Sequence, residues 1–167
     1  MILLGLPGAG KTTVARLAAA LLGAPWVDLD QAISAAAGAT IPELFARLGE
    51  PHFRDQEREI LAQLLAGPPA IIAAGGGWAA PPGNLAAVGP AALSINMCVT
   101  PEVAAVRLGQ PADRPLLAGA VLQRLRELLA GREEYYRLAD MASDEAGSAE
   151  RVAEAEATAS RLYAGWG

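Results

Sequence analysis

The sequence predicts an α/β fold, a parallel sheet with helices on both faces, and three observations predict it. Short apolar runs at 2–4, 25–27, 70–74, 91–97 and, more weakly, 141–143 alternate with longer stretches of helical spacing, the pattern of successive βαβ units. Helix starts are punctuated by capping residues and prolines. A glycine-rich loop stands between the first apolar run and the first helical pattern, where such folds bind phosphate. The 167 residues fit one domain with a proper core.

The loop is the octet Gly5-Leu6-Pro7-Gly8-Ala9-Gly10-Lys11-Thr12, a full G-x-x-x-x-G-K-[ST] Walker A motif that holds the only lysine of the chain. Its glycines let several backbone N–H groups converge on one phosphate, and the positive end of the following helix faces the same oxygens. Lys11 is placed to reach the β- and γ-phosphates, and the Thr12 hydroxyl to take a position on Mg²⁺. Gly8, Ala9, Gly10, Lys11, Thr12 and Thr13 are therefore the candidates for binding a nucleoside triphosphate.

After the second strand comes Asp28-Leu29-Asp30. Strand C-termini open toward the ligand crevice in these sheets, and residues i and i+2 of an extended segment point the same way. One acid then serves the metal and the other an acceptor hydroxyl, or the pair simply caps a helix over 31–37. Thr40 and Glu43 form a capping box, Thr100-Pro101 starts another helix with proline at its first position, and Ser148 can cap a terminal helix with Val152, Ala155, Ala159 and Leu162 at helical spacing. The strand at 70–74 runs into Gly75-Gly76-Gly77, which offers bare backbone to a small polar ligand. Ala79-Ala80-Pro81-Pro82-Gly83 reads as a surface loop, and the breaker-rich stretch 108–115, with Arg114 followed by Pro115, as a candidate lid.

Composition narrows the function classes. Net charge is −5 and the sequence pI about 4.9, which opposes a nucleic-acid surface. No apolar stretch reaches the roughly 18–20 residues of a membrane span. Met1 leads straight into the first strand, so a cytoplasmic protein is expected. Cys98 is the single cysteine and reads as a small buried core residue. The guanine-reading Asn-Lys-x-Asp element of switch GTPases would need a second lysine. Asp144-Glu145-Ala146-Gly147 fits D-x-x-G but lies too near the C-terminus for a switch. The acid that usually ends a metal-holding strand in hydrolytic ATPases is replaced by the three glycines.

The segment from Ile41-Pro42-Glu43-Leu44-Phe45 through Gly49-Glu50-Pro51-His52-Phe53-Arg54-Asp55-Gln56-Glu57, taken with the phosphate loop, the D-x-D and the Gly-Gly-Gly, resembles the shikimate kinase family. Arg114-Pro115-Leu116-Leu117 matches its lid motif, and Arg132 followed by Tyr135-Tyr136 and Ala139-Asp140 matches its later signature. The resemblance spans essentially the whole chain. It implies a five-stranded parallel sheet of the nucleoside monophosphate kinase-like P-loop type, one domain over 1–167, with a small helical substrate subdomain at about 30–62 and a lid at about 108–119. It implies ATP and Mg²⁺ as cofactors, shikimate as acceptor, and a monomer without nucleic-acid or membrane partners.

By that resemblance Asp30 accepts from the acceptor hydroxyl as base or orienting group. Arg54 and Arg132 grip the carboxylate of shikimate, Gly75, Gly76 and Gly77 meet its hydroxyls, Phe53 lines its ring and Glu57 fixes Arg54. Asp28 and Thr12 serve the metal, Arg114 closes over the transferring group with Lys11 opposite, and Arg107 stacks on adenine. Guanidinium forks suit a planar carboxylate better than lysine does. Kinases for other polyol acids such as gluconate, and a silent nucleotide- or shikimate-binding relative, are the alternative expectations. Trp78, which narrows the pocket or caps it, Asn96 in a buried strand, the short stretch 145–149 and a lid with one arginine depart from the family pattern. His52 reads as a surface histidine.

Overall fold

A computed structural model describes residues 1–80, 83–89, 92–109, 115–143, 152–154 and 157. Five parallel strands, β1 (Ile2–Leu4), β2 (Trp26–Asp28), β3 (Ile71–Ala73), β4 (Ser94–Asn96) and β5 (Met141–Ala142), stand in the order β2-β3-β1-β4-β5. Register runs Ile2 to Ile72 on one side of β1 and Ile2 to Ser94 on the other. β1 is thus central and its three residues are at most 1% exposed. Full burial on both faces explains why this strand reads as an unbroken apolar run rather than an alternation. The chain fills positions on one side of β1 before crossing to the other, so the loop after β1 lies at the switch point where α/β sheets bind ligands.

Helix α1 (Lys11–Leu22) presents Val14, Ala15, Ala18 and Ala19 to the sheet, and the small side chains let it lie close against β1 and β3. Helix α2 (Leu29–Ala37) packs on α3 (Ile41–Ala66). The capping box that starts α3 is present, with Thr40 Oγ1 and Glu43 bonded to each other's backbone. α3 bends at Gly49 (φ 77°, ψ 169°), two residues before Pro51, because proline cannot donate to the preceding turn and clashes with it. The second half of α3 carries Phe53, Arg54 and Glu57, and its Arg54 and Glu57 lie beside Gly77 and Gly75 just past β3.

The short α4 (Asn84–Val88) leads to β4, and α5 (Pro101–Arg107) begins at Thr100, whose hydroxyl accepts from the Val103 N–H. α6 (Pro115–Ala130) and the single turn α7 (Glu133–Tyr136) precede β5. The last five residues of the stretch expected as a lid, 115–119, are therefore the start of a helix. Arg114, Ser148 and the stretch 145–149 lie outside the described residues, as do Ala155, Ala159 and Leu162. Ala153 and Ala157, at 0% and 2% exposed, are buried instead, while Val152, the one described residue of the expected set, is half-buried.

Three expectations need correction. Cys98 is half-buried rather than a core residue, since it alternates with Met97 and Val99, which are the side chains buried in this extended segment. Ala79 is only 2% exposed, so the loop at 79–83 starts inside the core. Trp78 is likewise 2% exposed and packs in the core instead of narrowing a pocket. Its Nε1 has no partner among the described residues.

Candidate active site

Gly10 holds a left-handed conformation (φ 94°) at the N-cap of α1, and no side chain caps the helix. The first N–H groups of α1 are left open for an anion. Lys11 curls back over the loop, its Nζ donating to the Gly5 and Leu6 carbonyls at 2.9 Å each. Burial pushes the Lys11 ammonium down to about 8 against the pull of Asp30 and Asp28, with the charge of Arg132 adding to the depression. Arg107 donates to the Ala9 carbonyl at 3.2 Å and so stands against the loop.

Asp28 does two things. Its Oδ2 accepts from the Thr12 hydroxyl at 2.9 Å, while Oδ1 accepts from the Asp30 and Gln31 N–H groups as the N-cap of α2. The capping reading of the D-x-D thus falls on Asp28 alone. The extended-segment argument for the pair fails, because Asp28 ends β2 and Leu29 already begins α2. The first turn of the helix, not strand alternation, carries Asp30 to the site. Burial raises the Asp30 carboxyl above the usual range, helped by the charge of Asp28 and opposed by Lys11 and Arg54.

The glycine triplet is where the charged side chains meet. A Cβ on Gly75 would lie 2.7 Å from Asp30 Oδ1 and 2.9 Å from Glu57 Oε1; one on Gly77 would lie 2.7 Å from Arg54 Nη2. A Cβ on Gly76 would strike Pro7 of the phosphate loop at 2.9 Å. Only bare backbone allows these approaches. Gly75→Ala must displace both carboxylates, and overpacking of this kind costs about 1–3 kcal/mol. Its activity loss is expected to exceed what the stability change explains, which parallel denaturation and turnover measurements check.

Arg54 is gripped on two edges. Its Nη1 donates to Glu57 Oε2 at 2.5 Å, and Nε and Nη2 donate to Glu50 Oε1 at 3.3 and 2.9 Å. Glu57 is 1% exposed, whereas the Glu50 side chain is 64% exposed. The first pairing is structural support, and the second is a solvent-screened contact that a ligand carboxylate can replace. Phe53, 3% exposed and tilted against Phe45 with ring centroids 4.5 Å apart, has the Arg54 guanidinium over its ring at 5.4 Å. Phe53 supports the cleft from beneath and is not among the residues lining it. Arg132 Nη1 donates to the Gly76 carbonyl at 2.9 Å. Arg54, Arg132, Glu50, Pro51, Gly77 and Ala80 line an open cleft of about 470 Å³.

Thus Asp30, Arg54 and Arg132 converge on one glycine turn that touches the phosphate loop. His52 is exposed, as expected, and Asn96 finds a partner in Cys98 Sγ at 3.4 Å. Sequence reasoning gave no role to Glu50 or to Tyr136, whose hydroxyl donates to the same Gly76 carbonyl at 2.5 Å. The i, i+4 spacing of Arg132 and Tyr136, which puts two side chains on one face, was the available signal.

A family model described as Shikimate kinase matches residues 7–160. The chain belongs to the shikimate kinase family. A shikimate kinase of Bradyrhizobium diazoefficiens is 43% identical over 142 residues, covering 84% of this chain and 69% of that one. Among solved structures, the shikimate kinase of Acinetobacter baumannii in complex with shikimate superposes with a TM-score of 0.82 at 34% identity, over 93% of this chain and 88% of that one. A gluconokinase of Sinorhizobium meliloti, at 17% identity and a TM-score of 0.62, shares the fold alone. The shikimate kinase fold, five parallel strands flanked by helices with a P-loop after the central strand, is the one seen here. No described helix is long and apolar enough to cross a membrane.

Proposed function

We propose that this chain transfers the γ-phosphoryl group of ATP to the 3-hydroxyl of shikimate, a step in making aromatic amino acids. The observation that carries the reading is the convergence of one carboxylate and two guanidinium groups on a glycine turn beside the phosphate loop. Phosphoryl transfer needs alignment and positive charge around the equatorial oxygens more than covalent help. The loop N–H groups and Lys11 hold the phosphates; Asp30 takes a hydrogen bond from the acceptor hydroxyl as base or orienting group. Arg54 and Arg132 hold the ring carboxylate, with α2 and α3 as the substrate-binding subdomain. Arg107 is assigned to stack on adenine and Arg114 to the transferring phosphoryl group.

Thr12 and Asp28 bring two hard oxygen donors to within 2.9 Å of each other, a set that suits Mg²⁺, which keeps few protein ligands and takes its remaining ones from phosphate and water. When bound, the ion would supply positive charge that neutralises the phosphates. The protein acts in the cytoplasm as a monomer on these small molecules.

The test is ADP release with shikimate, gluconate or no acceptor. Release that depends on shikimate is expected; equal release without any acceptor would make the chain a hydrolase, and none with shikimate, though both ligands bind, a regulatory relative. Arg54→Ala and Arg132→Ala should each raise the KM for shikimate about 10- to 150-fold, from hydrogen bonds to a charged partner of roughly 1.5–3 kcal/mol, with little change in the KM for ATP.

Lys11 supplies a pH prediction. Phosphate binds the protonated ammonium better, so ADP affinity should weaken as pH rises through about 8. Calorimetric titration at several pH values should show that slope in the wild type and its loss in Lys11→Met.

A further inference from the structure

Trp78 N–H donates to the Gly75 carbonyl at 3.1 Å and closes a four-residue turn, so the peptide joining Gly76 to Gly77 is the centre of that turn. A central peptide takes no part in the closing bond. It can rotate by roughly 180° with the bond intact, which is what distinguishes type I from type II turns. Type II needs a left-handed residue at the third position, and a glycine there carries no Cβ to oppose it. Neither Gly76 nor Gly77 has a positive φ in the structure. One orientation is selected although the sequence permits two.

We infer that Tyr136 is a positioning residue, its hydroxyl locking the Gly76–Gly77 peptide so that the Gly77 N–H stays available to the acceptor. The Gly76 carbonyl accepts from Tyr136 Oη at 2.5 Å and from Arg132 Nη1 at 2.9 Å. In a planar trans peptide the N–H leaves on the side opposite the carbonyl, and the Gly77 N–H has no acceptor among the described residues. A flip would put a carbonyl oxygen where this donor stands, turning a group that attracts hydroxyl or carboxylate oxygen into one that repels it. Arg132 divides its donors between this carbonyl and, in the reading proposed above on which the acceptor side of this inference rests, the ligand carboxylate. Tyr136 is 3% exposed and has no such competing duty. Burial also holds its phenol above the ordinary range, against the charge of Arg132, so the donor proton is retained at neutral pH.

Tyr136→Phe keeps the buried ring and removes only the hydroxyl. The KM for shikimate should rise roughly three- to tenfold, the loss of one hydrogen bond, with kcat and the KM for ATP within about twofold of wild type. In ligand-free protein, relaxation dispersion should reveal microsecond-to-millisecond exchange at the Gly77 amide that the wild type lacks, or a crystal structure should show the peptide turned. An unturned peptide without exchange overturns the lock whatever the acceptor proves to be. An unchanged shikimate KM, or equal rises in both KM values, overturns its role in acceptor binding. A wild type inert toward shikimate would instead defeat the proposed function, and the ligand-free measurement would still decide the lock.

Discussion

Asp30→Asn is expected to lower kcat with shikimate by about 10²–10⁴-fold, the range for losing a positioned acid–base group, while ADP binds as before. The fold should survive the change, because the cap of α2 is Asp28 and not Asp30. Stability offers an independent sign. The folded-state value of Asp30 is raised by burial and by Asp28, so the native state holds its proton to higher pH than the unfolded chain does. Stability is therefore lost as pH rises from the unfolded value through the raised one. Removing the charge should leave the Asn variant at least as stable as wild type at pH 7, and thermal melts in parallel with turnover check both halves. The acid limb of kcat/KM should lie above the ordinary aspartate range in the wild type. An Asn variant that keeps wild-type turnover removes Asp30 from the mechanism.

Lys11→Ala is expected to cost about 10²–10³ in kcat, the loss seen when one preorganised charge donor is removed from a transition state. Its ammonium already sits on the Gly5 and Leu6 carbonyls at 2.9 Å, next to the open N-terminus of α1. Lys11→Arg should not restore the rate, since a planar fork cannot replace a compact three-donor ammonium in that geometry. Because burial depresses the lysine to about 8, the charge is held at a cost to the free protein. Denaturant melts of the Ala variant should show little loss of stability beside the large loss of rate. A stability drop that matched the rate loss would assign Lys11 a structural role.

Much of this was legible in the residues. The phosphate loop, the capping box at Thr40 and the proline start of α5 are local signals, fixed by backbone chemistry within a few positions, and each appears where its residues put it. β1 stands where its apolar run puts it, but the ends of β2, β3 and β4 differ from their runs by one to three positions, and an apolar residue just past a strand is as buried as one within it, as at Ala74 and Leu93. The order of the strands is a long-range matter that no local pattern encodes. Asp28 and Asp30 were placed on one extended segment because the sequence hides where β2 gives way to α2. That boundary depends on Asp28 turning its carboxylate back onto the Asp30 and Gln31 N–H groups. The bend at Gly49 was equally silent, since Gly and Pro there fit a break as well as a kink. Tyr136 is silent in the sequence because its partner, the Gly76 carbonyl, becomes a neighbour only once α7 has packed against the turn, whereas Glu50 stands at i, i+4 to Arg54 on one helix, a spacing the sequence does display.

The pairing of Arg54 and Arg132 with a ring carboxylate is best tested by binding shikimate and its neutral carboxamide to the wild type and to each arginine-to-alanine variant. The wild type should prefer shikimate by at least about tenfold, in keeping with charge-assisted hydrogen bonds, and that preference should shrink in either variant. Equal affinity of the wild type for both compounds, or a preference that persists without the arginines, would contradict it.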